Sequence, residues 1–183
     1  MNSMKYYDLN PANHVLRGTE ARLGYSPAPN ARSTVLRASR EIPTQHEFNV
    51  VSSTNAALLV EACKRGTATL VMPLDSPEYW KNDALLMAAV DKNRVFEIPL
   101  RPLLHSKYAR RAKLMGQLKF FLRRCVKQHA RFVITSRAES EYDVKSPREA
   151  IALGQLLGLT KQQAQHALSK ECERLLEEVG ERA

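Results

Sequence analysis

Arg101, Lys107, Arg110, Arg111, Lys113, Lys119, Arg123, Arg124, Lys127, Arg131 and Arg137 fall in one stretch, and no Asp or Glu lies between Glu97 and Glu139. The chemistry open to such a stretch is the binding of a polyanion. Taking these eleven cations from the net charge of +9 leaves the other residues at −2. The basicity therefore belongs to this block and not to the surface in general. Charges of one sign repel each other unless something anionic lies against them. A merely solvated face is the plain alternative, but solvated helices mix signs for pairing between turns, and no acid is at hand. Nucleic acid is the favoured partner.

Residues fit for hydrolytic chemistry are sparser. At the C-terminal ends of predicted strands stand Asp8, Asn10, Ser52, Ser53, Asp75, Arg101, Ser136 and Arg137. A barrel hydrolase would bring histidines and carboxylates together on metals. The five histidines, His14, His46, His105, His129 and His166, are scattered, with no two in one short segment. His129 borders an apolar helix face and reads as a packed histidine. Asp75, before Ser76 and Pro77, reads as readily as a turn former. Arg101 and Arg137 look like phosphate binders; the competing reading pairs them with Glu97, Glu139 or Glu141. Cys63, Cys125 and Cys172 are far apart and odd in number, which favours buried thiols over disulfides or metal ligands.

The elements that must position these groups follow from periodicity. Residues 106–130 read as one amphipathic helix. Leu114, Met115, Leu118, Phe121, Leu122, Cys125 and Val126 take one side; Arg110, Lys113, Gln117, Phe120, Arg123, Arg124, Lys127 and Arg131 take the other. Strands are expected at 6–9, 48–52, 67–74, 94–100 and 132–136, and helices at 54–65 and 83–92. Gly66 supplies a left-handed stop. Ser146-Pro147-Arg148-Glu149 is a capping box with proline in the first turn, opening a helix to Leu157. Thr160 to Gln163 opens a last helix by the same device, running to about Val179. The prolines before residue 47 suit short elements, with helices conceivable at 14–23 and 31–40. Alternation of strand and helix argues for parallel βα units in one domain, residues 1–183, with a TIM-barrel-like α/β fold. No glycine-rich phosphate fingerprint follows a strand. No run of eighteen apolar residues spans a membrane, and Met1 to Asp8 lack a signal pattern, so a cytoplasmic protein is expected. Residues 139–149 mix signs: Glu139, Glu141, Asp143 and Glu149 could pair with the basic helix, or Lys145 and Arg148 could extend its surface; Tyr142 and Phe120 could stack bases, although a lone exposed aromatic is more often simple packing.

Four segments carry a family resemblance: Val95-Phe96-Glu97-Ile98-Pro99-Leu100-Arg101-Pro102-Leu103-Leu104; RFVITSRA from Arg131 to Ala138; Tyr142-Asp143-Val144-Lys145-Ser146-Pro147-Arg148-Glu149; and Ala152-Leu153-Gly154-Gln155-Leu156-Leu157-Gly158-Leu159. In this order and spacing they resemble the thirty-kilodalton subunit family, protein component 3 of archaeal and eukaryotic ribonuclease P. Met4 to Asn10 are similar to that family's opening strand. The resemblance implies a barrel related to the polymerase-and-histidinol-phosphatase hydrolases. It also implies work beside a catalytic RNA that removes the 5′ leader of precursor tRNA, with magnesium on the RNA and no cofactor on the protein. Implied partners are that RNA, other protein subunits of the complex, and precursor tRNA directly or through the RNA. The hydrolases' metal histidines are missing at Asp8-Leu9-Asn10. Arg137 stands where the family commonly has glycine. The short chain and the poorly matched residues 12–46 suggest one reduced barrel unit.

The expectation is a non-catalytic ribonuclease P subunit, enzymatic only as part of the holoenzyme. Its RNA contacts would be Arg101, Lys107, Arg110, Lys113, Arg123, Arg124, Lys127, Arg131, Arg137, Lys145 and Arg148. A metal-dependent phosphoesterase on the same barrel is the alternative. A scaffold docking an acidic subunit is a third reading.

Overall fold

The computed structural model describes residues 4–9, 16–29, 31–44 and 48–180. After a short α1 (Arg17–Arg22) come β1 (Arg32–Val35), β2 (Asn49–Ser52), α2 (Ala56–Arg65), β3 (Leu70–Met72), α3 (Asp83–Asp91) and β4 (Val95–Pro99). Then follow α4 (Arg101–His105), α5 (Tyr108–Lys127), β5 (Arg131–Thr135), α6 (Pro147–Leu156), α7 (Lys161–Leu168) and α8 (Lys170–Gly180). All five strands are parallel and lie side by side in chain order. Parallel strands in sequential order are the singly wound, TIM-barrel-like arrangement, and α2, α3 and α5 pack together on one face of them.

The two-residue period of the strands divides the core in two. Val51, Val71, Phe96, Ile98 and Ile134 point outward, into one cluster with Leu59 of α2, Leu86 of α3 and Phe121 of α5. Val50, Leu70, Met72, Val95 and Val133 point to the opposite face, where Leu9, Cys172 and Leu175 cover them. The inner face is thus filled by α8 and the N-terminal segment. Arg131 of β5 fastens α8 there: its Nε donates to Glu171 at 2.6 Å and its Nη1 to Glu178 at 3.0 Å.

Three expectations are corrected. Residues 6–9 join no strand ladder; the Tyr7 amide donates to the Leu168 carbonyl, and the Tyr6 carbonyl accepts from Ser26. Residues 31–40 form β1 and a 3-10 turn, not a helix. Ala31 and Leu36 are the buried pair, a spacing no helix face provides, while Ser33-Thr34-Val35 favours a strand. The last helix is broken at Ser169, whose φ of −129° and ψ of −92° leave the helical region. Ala164, Ala167 and Leu168 belong to the outer cluster but Cys172 and Leu175 to the inner. One straight helix cannot bury both sets.

The other local signals act as expected. Asn55 and Asn82 cap α2 and α3. Ser146–Glu149 and Thr160–Gln163 make reciprocal capping boxes. Gly66 and Gly158 end their helices at φ of 80° and 93°. No helix among the described residues is long and apolar enough to cross a membrane.

Candidate nucleic-acid interface

The helix α5 is anchored by Leu118, Phe121, Leu122 and Cys125, all buried, with Leu114, Met115 and Val126 partly so. The Phe121 ring sits edge-on between Tyr79 at 5.4 Å and Phe96 at 5.1 Å, which fixes the helix's rotation. That rotation sends Lys107, Arg110, Lys113, Lys119, Arg123 and Lys127 into solvent, none with a side-chain hydrogen bond or ion pair among the described residues. Lys119, Arg123 and Lys127 are four residues apart, so each pair places like charges on adjacent turns, at a cost of about 0.2–0.5 kcal/mol each. Lys107 and Arg110 also stand at the positive end of the helix dipole, whose first turn has no acid. A helix evolved for stability alone would carry the opposite pattern. An anion along this face relieves both repulsions.

Other expected phosphate contacts are engaged by groups of the chain itself. Arg124 donates to the Trp80 carbonyl at 2.9 Å and is also bonded to Asp83. Arg131, 8% exposed, is taken up by Glu171 and Glu178. Arg137 grips Glu97 with Nε and Nη2 at 2.9 to 3.1 Å. Arg101 bonds Glu139 at 2.7 Å and lies 3.4 Å from Asp143. Arg111, left out of the expected contacts, donates to the Ser106 and Leu104 carbonyls. For Arg101 and Arg137 the ion-pair reading is the one realised. Arg131 and Arg137 are turned to buried carboxylates and away from any phosphate outside, whereas Arg101 is paired with an exposed one. Lys145 donates to the Tyr142 carbonyl at 2.6 Å, and Arg148 is exposed in the first turn of α6.

The strand ends form a closed polar cluster. Glu97, fully buried, accepts from Thr135 Oγ1 at 2.7 Å and from Arg137. Asp8 Oδ1 accepts from the Ser136 amide at 3.0 Å. Ser53 Oγ donates to the Leu36 carbonyl at 2.7 Å. Asp75 is exposed in a turn, and Asn10, His14 and His46 lie outside the described residues. A metal on Glu97 would have to displace Arg137, so this donor set does not fit the phosphoesterase reading. Among the described residues no three His, Cys, Asp or Glu side chains gather as metal ligands. His129, expected to pack, is instead exposed at φ 55°, where it ends α5. All three cysteines are buried free thiols, and burial pushes Cys63 and Cys125 up to about 12.

One arrangement has no sequence signal. His105 Nε2 lies 2.5 Å from Asp143 Oδ1, joining the end of α4 to the loop after β5. Asp143 Oδ2 accepts from the Glu139 and Ser140 amides and the Ser140 hydroxyl. Burial alone would raise this carboxyl; the hydrogen bonds from His105, Glu139 and Ser140 outweigh it and bring it to about 2.

The fold and this face define a singly wound, barrel-like α/β protein with a cationic outer helix. The chain belongs to the family of RNase P subunit p30, whose model matches residues 31–183. It is similar to ribonuclease P protein component 3 of Methanosarcina acetivorans, 37% identical over 95 residues, which is 52% of this chain and 40% of that protein. The same component of Methanosarcina mazei is 39% identical over 88 residues, 48% of this chain and 37% of that protein. The matched stretches thus span about two fifths of those relatives' length. A chain in the cryo-EM structure of archaeal ribonuclease P with mature tRNA superposes with a TM-score of 0.67 at 15% identity, over 96% of this chain and 79% of that one. At that identity the likeness shows the fold.

Proposed function

We propose that this chain is a protein subunit of ribonuclease P, itself non-catalytic, assisting a catalytic RNA in removing the 5′ leader of precursor tRNA. The observation that carries this reading is the outward face of α5 and its N-cap: six exposed cations, unpaired among the described residues, on a helix that like-charge repulsion and its own dipole both penalise. Family membership and the names of the similar proteins support the choice of RNA. The phosphate contacts narrow to Lys107, Arg110, Lys113, Lys119, Arg123 and Lys127, with Lys145 and Arg148 beside them. Such contacts set position and not sequence readout. Magnesium would act on the RNA, other protein subunits would complete the particle, and the cytoplasm is the compartment this role implies.

The test is to purify the tagged protein from its native cells and sequence the RNA that accompanies it. One abundant structured RNA, in a fraction that trims precursor tRNA leaders, is the expected result. No enriched RNA in the presence of nuclease inhibitors would sink the reading.

A further inference from the structure

Tyr108 and Tyr142 are 91% and 90% exposed, more so than any other large hydrophobic side chain among the described residues. Neither ring stacks on another, and neither hydroxyl has a hydrogen-bond partner there. A tyrosine wholly in water forfeits the burial that makes large rings stabilising. The segments that carry them are joined by side chains far apart in sequence. Tyr108 stands three residues beyond His105, Tyr142 immediately precedes Asp143, and His105 and Asp143 are in contact at 2.5 Å. Arg101, bonded to Glu139 and beside Asp143, ties the same two segments a second time.

The backbone adds an independent mark. Tyr108 opens α5 at φ 45°, a left-handed conformation that a bulky side chain rarely adopts and a glycine would hold without strain. The surroundings carry both signs of charge, with cations on each side of the two rings. Lys107 and Arg110 flank Tyr108, the Lys145 ammonium lies behind Tyr142, and Arg148 follows. The neighbouring acids are engaged within the chain: Glu139 with Arg101, Glu141 with Thr19, Asp143 with His105, and Glu149 with Ser146.

We infer that Tyr108 and Tyr142 form a stacking platform for unpaired nucleotides of an RNA strand, with Lys107, Arg110, Lys145 and Arg148 taking the phosphates. The inference rests on the RNA-subunit reading and goes beyond it by naming the strand state recognised. Bases in a duplex are already stacked on each other, whereas unpaired bases offer a face to a ring.

The test compares the full chain with a Tyr108→Ala/Tyr142→Ala variant and a Tyr108→Phe/Tyr142→Phe variant. Fluorescence anisotropy would follow a short oligouridine and a fully paired RNA duplex of the same length. The alanine pair should lose about ten-fold affinity per ring for oligouridine, keep duplex affinity, and keep the salt slope, since no charge is removed. The phenylalanine pair should bind as the natural chain does. Equal losses on both RNAs, or no loss on either, would overturn the platform while leaving RNA binding by α5 intact. No binding of either RNA by the natural chain would bring down the subunit reading as well. Undiminished RNA binding with failure to co-purify the other protein subunits would assign the rings to a protein interface and overturn the inference. Tyr108→Gly separates function from folding: it should raise the melting temperature and weaken oligouridine binding, whereas a fall in both would remove Tyr108 from the platform.

Discussion

Arg137 reaches across from the end of β5 to the buried carboxylate of Glu97 on β4, with three nitrogen–oxygen distances between 2.9 and 3.1 Å. It does so from a left-handed backbone at φ 46°. A glycine would hold that conformation without strain. Here the strain, about 1–2 kcal/mol for an L-residue, is offset by the only cation bonded to Glu97 among the described residues.

Arg137→Gly should therefore destabilise the fold, not relax it. The relieved backbone returns about 1–2 kcal/mol, but an uncompensated buried carboxylate costs about 3–5 kcal/mol. Adding Glu97→Gln should recover most of the loss. Urea unfolding of the single and double variants measures both, and a stabilised single variant would contradict the coupling.

Replacing Lys119, Arg123 and Lys127 together by Gln should weaken RNA binding and make its salt dependence shallower. The slope of log affinity against log salt should fall by about 0.7–0.9 for each phosphate no longer neutralised. The same variant should be slightly more stable, because two like-charge steps along α5 disappear, each about 0.2–0.5 kcal/mol. Binding titrations at several salt concentrations, paired with melting curves, test this. An unchanged slope in a folded variant would clear this surface of any part in RNA binding.

The Asp143 clasp makes stability acid-sensitive. Its folded carboxyl titrates at about 2, below the ordinary aspartate value of 3.8. A depressed value stabilises the fold fully above the unfolded pKa, and that share is lost as pH falls through the folded one, so it fades from about pH 4 to about pH 2. The full contribution is on the order of 2 kcal/mol. The stability gap between the natural chain and Asp143→Asn should narrow over that window. A gap of constant size down to pH 2 would mean the carboxylate's charge is not what holds the loop.

Arg131→Met should release α8 from the inner face, since it leaves Glu171, 6% exposed, without its guanidinium. A loss of about 3–5 kcal/mol is expected. Hydrogen exchange should rise first in residues 170–180, and protection unchanged there would show that apolar packing alone seats the helix.

Gly154→Ala tests the packing of α6 on α7. An added Cβ would lie 2.9 Å from the Ala164 Cβ and 3.3 Å from Ile134 Cδ1. Overpacking of this kind costs about 1–3 kcal/mol. A melting temperature equal to the natural chain's would show that the two helices part without resistance.

By itself the amino-acid sequence determines what acts over a few residues. The two faces of α5, the capping boxes at Ser146 and Thr160, the stop at Gly66 and the apolar run at 70–72 each depend on local backbone preference and local spacing. So does the confinement of positive charge to one block, and with it the expectation of a polyanionic partner. Tertiary structure alone decides which of those cations stay in water. Arg101, Arg124, Arg131 and Arg137 resemble Lys113 or Arg123 in sequence, yet they meet carboxylates tens of residues away because neighbouring strands and helices bring them together. The same holds for the bend at Ser169 and for His105 against Asp143. A charge's type and period are properties of its own segment; whether it is paired depends on which distant segment the fold places opposite it.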